Sequence, residues 1–184
     1  NGDITAPIAY SSSSPSSARN NNLLANPYPS AIDADKFLEA NTGLLDGAIY
    51  LWRANTTNVS GASNYVVADY IAYTKAGSTA YAGTTASGTD FDGFIASGQG
   101  FKVRALQSGT AQFNNCMRVL TNNNQFFRNA YATTSDIIKD RYKVNIRNSE
   151  GFANQILVAY LPETSLNYDY MYDAELLTVS PTNL

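Results

Sequence analysis

Between Gly93 and Arg128 the chain reads GFIASGQGFKVRALQSGTAQFNNCMRVLTNNNQFFR, which carries its clearest architectural signal. Phe94, Phe101 and Val103 stand among small and polar residues, and Gly98 and Gly100 interrupt the run where a strand bends, so the pattern predicts a kinked strand. Ser108-Gly109 then breaks the pattern, and Thr110 to Phe113 restore the alternation of a hairpin partner. A second hairpin is predicted from Met117–Leu120 and Gln125–Arg128, which flank the turn-forming amides Asn122 to Asn124.

The remaining elements follow from the same periodicities. Ile4–Tyr10 reads as a short strand, and SSSSPSSARNNN after it as a surface loop. Leu23-Leu24-Ala25 must end at Asn26-Pro27-Tyr28-Pro29, because each proline removes a donor and pushes the residue before it into an extended conformation. Ser30 to Asp33 match a capping box with an acid in the last place, and Ile32, Phe37 and Leu38 recur at helical spacing, so one helix is expected over Asp33–Ala40. Ala48–Arg53, Tyr65–Tyr73, Arg141–Asn148, Ala153–Leu161 and Met171–Val179 read as strands. Lys75–Asp92, rich in Gly, Ala, Ser and Thr, reads as the longest exposed loop.

About nine or ten strands, one helix and no strand–helix alternation predict an all-β, antiparallel two-sheet β-sandwich of jelly-roll type. Residues 1–22 form an N-terminal strand and flexible loop in this reading, 23–179 the sandwich and 180–184 a tail. At 184 residues the chain is long enough to bury a core without crosslinks.

Charged residues make up only 15% of the chain, against about 25% in an average soluble domain. Amides and hydroxyls replace them, a composition more usual in secreted β-proteins. With a net charge of −3 and a pI near 4.8 there is no basic field to neutralise phosphates, which argues against nucleic acid as a partner. The chain has no histidine, which excludes histidine-based triads and histidine-ligated zinc, and its one cysteine excludes an internal disulfide. Cys116 reads as a small buried apolar residue. No run of about 18 apolar residues is present. The first residue is Asn1, not Met, so the expectation is a piece of a longer precursor.

Candidate chemistry is sparse. Asp90 and Asp92 are candidate calcium ligands, set against a plain turn because the twelve-residue calcium loop with its closing Glu is missing. Asp33 and Asp35 read as helix-start charge. Tyr65, Tyr70 and Tyr73 are candidate ligand-binding residues, because rings on an outer sheet face form a platform for sugars; Tyr168 and Tyr170, near Asp169 and Asp173, are a second candidate cluster for mixed cation and sugar contacts, set against a solvated edge strand. Tyr50 and Trp52 read as core, Arg118 and Arg128 as structural. None of the glutamates stands in a setting that marks a raised pKa, so no catalytic residue is assigned, and no cofactor is expected beyond the candidate calcium.

The succession NLLANPYPSAIDADKFL, IYLWRANT, IASGQGFKVRA, FNNCMRV, NQFFR and YDAE, from about Asn22 to Glu175, resembles a module of large secreted Bacteroidota proteins. That module typically lies upstream of the C-terminal domain read by the type IX secretion system. Cys116 departs from it, since a small polar residue is more usual there. The resemblance implies export across the outer membrane, handling by the type IX machinery, and an extracellular or cell-surface location. It implies no activity. The expected role is a non-catalytic structural or adhesive unit of a stalk, filament or surface layer, with neighbouring modules or further copies as partners. The alternative is a carbohydrate-binding module whose partner is polysaccharide.

Overall fold

In the computed structural model, residues 2–13, 20–52, 70–79, 91–122, 140–147 and 153–175 are described. Among them are eleven strands, one α-helix and a 3₁₀ turn at Asn115–Met117. The strands are β1 (Ile4–Ile8), β2 (Asn21–Ala25), β3 (Ile32–Asp33), β4 (Leu45–Trp52), β5 (Tyr70–Thr74), β6 (Gly77–Ser78), β7 (Phe94–Ile95), β8 (Gly100–Ala105), β9 (Gly109–Phe113), β10 (Asp140–Arg147) and β11 (Ala153–Tyr160), with helix α1 at Ala34–Ala40. All paired strands are antiparallel. The protein is therefore all-β with one short helix.

Five strands form the principal sheet in the order β2-β8-β4-β5-β6, and β1-β9, β3-β7 and β10-β11 form separate two-stranded sheets. Alternation sends Leu24, Phe101, Val103, Ala105, Ile49, Leu51 and Ile71 to one face of the principal sheet, where they are buried. Opposite them in the same core lie Ile8 and Ala111, Phe113 of the β1-β9 pair, Ile32 and Ile95 of β3-β7, and Phe37 and Leu38 of α1. Phe37 joins the layers, with its ring 5.2 Å from Phe101 edge-on and 4.9 Å from Phe113. The expected sandwich is thus asymmetric: one layer is a continuous sheet, and the other is two short ribbons and the helix.

Several expectations need correction. The kinked strand is two strands, β7 and β8, in different sheets, separated by a turn in which Gly98 adopts φ 70°. β8 and β9 are not hairpin partners. Both edges of β8 are already taken by β2 and β4, so after Leu106–Ser108 the chain crosses to the other layer and β9 pairs with β1. Asp33, not Ser30, caps α1, its Oδ1 accepting from the Lys36 N–H at 3.2 Å. Met117 lies in the 3₁₀ turn and not in a strand, and only Arg118 bridges to Ile32. Cys116 is exposed, because that turn directs Met117 into the core instead. The loop expected at Lys75–Asp92 begins as a tight turn into β6, and Phe91 is buried. Residues 171–175 form no strand, with Met171 and Tyr172 in a turn and 173–175 irregular, and the rest of that predicted element lies outside the described residues, as do Arg128 and most of the second hairpin.

Side-chain amides close the gaps between the layers. Asn26 is buried, and its Nδ2 donates to the carbonyls of Ser30, Ile95 and Ala96 at 2.8–3.1 Å while its Oδ1 accepts from Tyr28 N–H at 3.0 Å. Its backbone pairs with Gly98 and Gln99 at 3.1 Å. The NPYPS corner and the IASGQG turn are therefore one unit. Asn41, also buried, donates to the carbonyls of Phe37 and Gln112 at 2.8 and 3.0 Å and accepts the Gln112 N–H at 2.7 Å. Asn22 does the same for Ala9, taking its N–H and its carbonyl at 2.9 Å. A primary amide presents the same donor and acceptor as a peptide group, so these asparagines stand where a further strand would.

Removing a buried amide leaves backbone groups unpaired in the core. Asn26→Ala and Asn41→Ala are each expected to lose about 2–4 kcal/mol of stability, and Asn22→Ala, at a half-buried position, about 1 kcal/mol, in urea denaturation.

Candidate functional site

The second face of the principal sheet carries the polar chemistry. Alternation along β8 sends Lys102 and Arg104 away from the core that holds Phe101, Val103 and Ala105. Cross-strand pairing places Leu23, Lys102, Tyr50 and Ala72 in one row, and Trp52 beside Tyr70 in the next. β4 is buried at every position except Trp52, so it is covered on both sides.

What covers its outer side is the segment Tyr168–Glu175. The Met171 carbonyl accepts from Lys75 N–H at 2.8 Å, the Tyr172 carbonyl from the Thr74 hydroxyl at 2.8 Å, and the Glu175 carbonyl from the Tyr50 hydroxyl at 3.1 Å. The segment passes tight against Gly47, which has φ 87° and where an added Cβ would clash with the Met171 backbone nitrogen. Gly47 lies in the irregular stretch of β4 between Leu45 and Ile49.

An ion-pair network ties this segment to the sheet. Asp46 is fully buried; its Oδ2 accepts from Arg104 Nε at 2.8 Å and its Oδ1 from Ala48 N–H at 3.1 Å. Arg104 Nη1 also donates to Glu175 Oε2. Burial pushes the Asp46 carboxyl above the usual carboxylate range, against the opposing pull of the Ala48 N–H and Arg104. Burial likewise raises the Tyr50 hydroxyl, and moves Tyr168 up to about 12 with Asp46 adding to it.

The candidate residues fall in different places. Tyr70 and Tyr168 flank Tyr50 on this face: Tyr70 through Lys102, whose Nζ lies 4.7 Å from the Tyr70 ring centre and 5.8 Å from that of Tyr50, and Tyr168 through the Asp46–Arg104–Glu175 network. Tyr170 is exposed, edge-on to Tyr168 at 5.3 Å. Tyr73 is different. It is buried, edge-on to Phe91 at 4.9 Å, and its hydroxyl donates to Asp35 at 2.8 Å, so it belongs to the core and not to a surface platform. Tyr65 and Asp90 lie outside the described residues. Asp92 uses Oδ1 to accept the Phe94 N–H at 3.0 Å, the local bond of a turn. Among the described residues no three cysteines or carboxylates converge as metal ligands.

Trp52, read as core, is 38% exposed and packs edge-on against Tyr70 at 4.8 Å. Lys102, Arg104 and Asp46 were missed. The alternation Phe101-Lys102-Val103-Arg104-Ala105 was a sufficient signal for two cations on one face. An Asp-Gly pair is common in turns, and only the fold shows Asp46-Gly47 as an irregularity inside a strand.

Two outcomes follow. Gly47→Ala, which adds both a backbone clash and an unfavourable φ, is expected to cost about 3 kcal/mol or more in urea denaturation. Because the folded-state pKa of Asp46 is raised, its protonated form favours the fold, and that stability is present at low pH and lost as pH rises through the folded pKa. Wild type should therefore gain stability relative to Asp46→Asn as pH falls from about 7 to about 4 in urea melts at each pH.

Among curated proteins and solved structures nothing matches the chain. A family model does, over residues 1–184, and its description is a domain of unknown function, DUF8693. A match over the whole length places this antiparallel β protein, with its amide-tied layers, in the DUF8693 family.

Proposed function

We propose that the chain is a non-catalytic module of a larger secreted or cell-surface protein, exported by type IX secretion, with a structural or adhesive role in a stalk, filament or surface layer. One observation carries the reading: the motifs behind the resemblance hold the scaffold together. Asn26 of NPYPS bonds the IASGQG turn. Arg118 of FNNCMRV lies 5.4 Å from the Tyr28 ring and donates to Ser30 Oγ at 3.2 Å. Glu175 of YDAE binds Arg104 of FKVRA. Side chains engaged in this way suit a load-bearing unit, and the most buried carboxylate, Asp46, is engaged by Arg104 as well.

An adhesive role has further support in the β10-β11 ribbon. Its register puts Tyr142, Val144, Ile156 and Tyr160 on one face, where they are 42–67% exposed. Exposed apolar ladders of this kind mark contact surfaces. A second reading, polysaccharide binding, is favoured by Trp52 and Tyr70 beside Lys102 on the outer face of the principal sheet.

Surface proteolysis tests the first reading. Protease added to intact cells of the producing bacterium should cleave the protein, and disabling the type IX translocon should leave it protected in the periplasm. Recovery of the protein from the cytoplasm in wild-type cells would overturn the proposal.

A further inference from the structure

Lys102 and Arg104 lie two residues apart on one face of β8, and the fold treats them differently. Arg104 is held by Asp46 and Glu175. Lys102 takes part in none of the ion pairs among the described residues, and its ammonium lies over the Tyr70 and Tyr50 rings. The Tyr50 hydroxyl is already given to the Glu175 carbonyl, so it does not serve an outside ligand. Burial lowers the Lys102 pKa, as expected of a cation whose water is partly removed.

Aromatic surface adjoins this cation. Tyr70 is partly exposed, Trp52 presents 38% of its surface, and Leu23, opposite Lys102 in the register, is 81% exposed. Rings of this kind take the apolar C–H face of a sugar, and a lysine with no ion pair among the described residues takes a carboxylate or sulfate on the same sugar. The protein's net charge of −3 gives no general attraction for polyanions, so binding must come from this local pairing.

We infer that Lys102, Tyr70 and Trp52 form a binding site for an acidic glycan, with the anion on Lys102 and a sugar ring against the two aromatics. This inference rests on the polysaccharide-binding reading and names its ligand class. An acidic peptide fits less well, since it offers the anion without the flat C–H face.

Trp52 is the only tryptophan in the chain, so its fluorescence reports on the site directly. The whole protein would be titrated with a uronate oligosaccharide, a sulfated one, a neutral one of the same length, and an oligoglutamate. Saturable change with either acidic sugar, and weaker or no change with the neutral sugar and the peptide, supports the site; the two acidic arms tell carboxylate from sulfate. Lys102→Met, which keeps the apolar stem, should weaken acidic-sugar binding about tenfold or more, and Lys102→Arg should retain it. Tyr70→Ala should weaken it and Tyr70→Phe retain it, with unchanged thermal unfolding showing that each variant is folded.

Equal binding of neutral and acidic sugars, or no effect of Lys102→Met, would overturn the acidic site and leave polysaccharide binding standing. Equal binding of oligoglutamate would overturn a glycan ligand. No response to any sugar would overturn both, and the cell-surface structural reading would still be judged by the proteolysis result.

Discussion

Peptide groups in a dry interior must be paired, and this fold depends on how it pairs them where the chain changes layer. A continuous sheet pairs each strand with the next, but the layer opposite the principal sheet is made of short ribbons and a helix. At the seams, asparagine side chains take the place of a missing strand: Asn41 binds both peptide groups of Gln112, and Asn26 gathers three carbonyls. Burial can follow only once those groups are paired, which is why Phe37 can sit between Phe101 and Phe113. The amide-rich composition is therefore structural in part, beyond its effect on the surface.

The same constraint explains the outer face. β4 is covered on both sides, so its outward residues, Asp46 and Tyr50, are buried polar groups that need partners. The segment ending at Glu175 supplies one to Tyr50 through its backbone, and Arg104 supplies the other to Asp46. A tie of this kind gives geometry more than net stability, because a buried ion pair loses in desolvation much of what it gains in attraction. It places the covering segment in one position, with Tyr168 beside Tyr50 and the Asp46–Arg104–Glu175 network.

Much of the fold was legible in single residues. Strict alternation located β10 and β11 to within a residue or so, and the two prolines after Asn26 marked the end of β2. The candidate site was legible only in fragments. Tyr70 lies on the outer face of the principal sheet, whereas Tyr73, three positions further along β5 and so on the opposite face, is in the core. Alternation puts Tyr70 and Tyr73 on opposite faces, but a strand with apolar residues at consecutive positions does not say which face is inside. Their different surroundings come from β4 and α1, which are distant in sequence.

Local chemistry, carried by the chain's own order of residues, determined the element types: alternation requires strands, proline ends them, and an acid before Ala34 caps a helix. It also determined that histidine chemistry is absent. Tertiary structure decided which strands pair, because β8 had both edges filled by β2 and β4 and so sent β9 to β1. It also decided which cation was neutralised, Arg104, and which was left among aromatic rings, Lys102. The physical reason is the same in both cases: edges and charges are satisfied by whatever the fold brings near, and that proximity is not written in any local pattern.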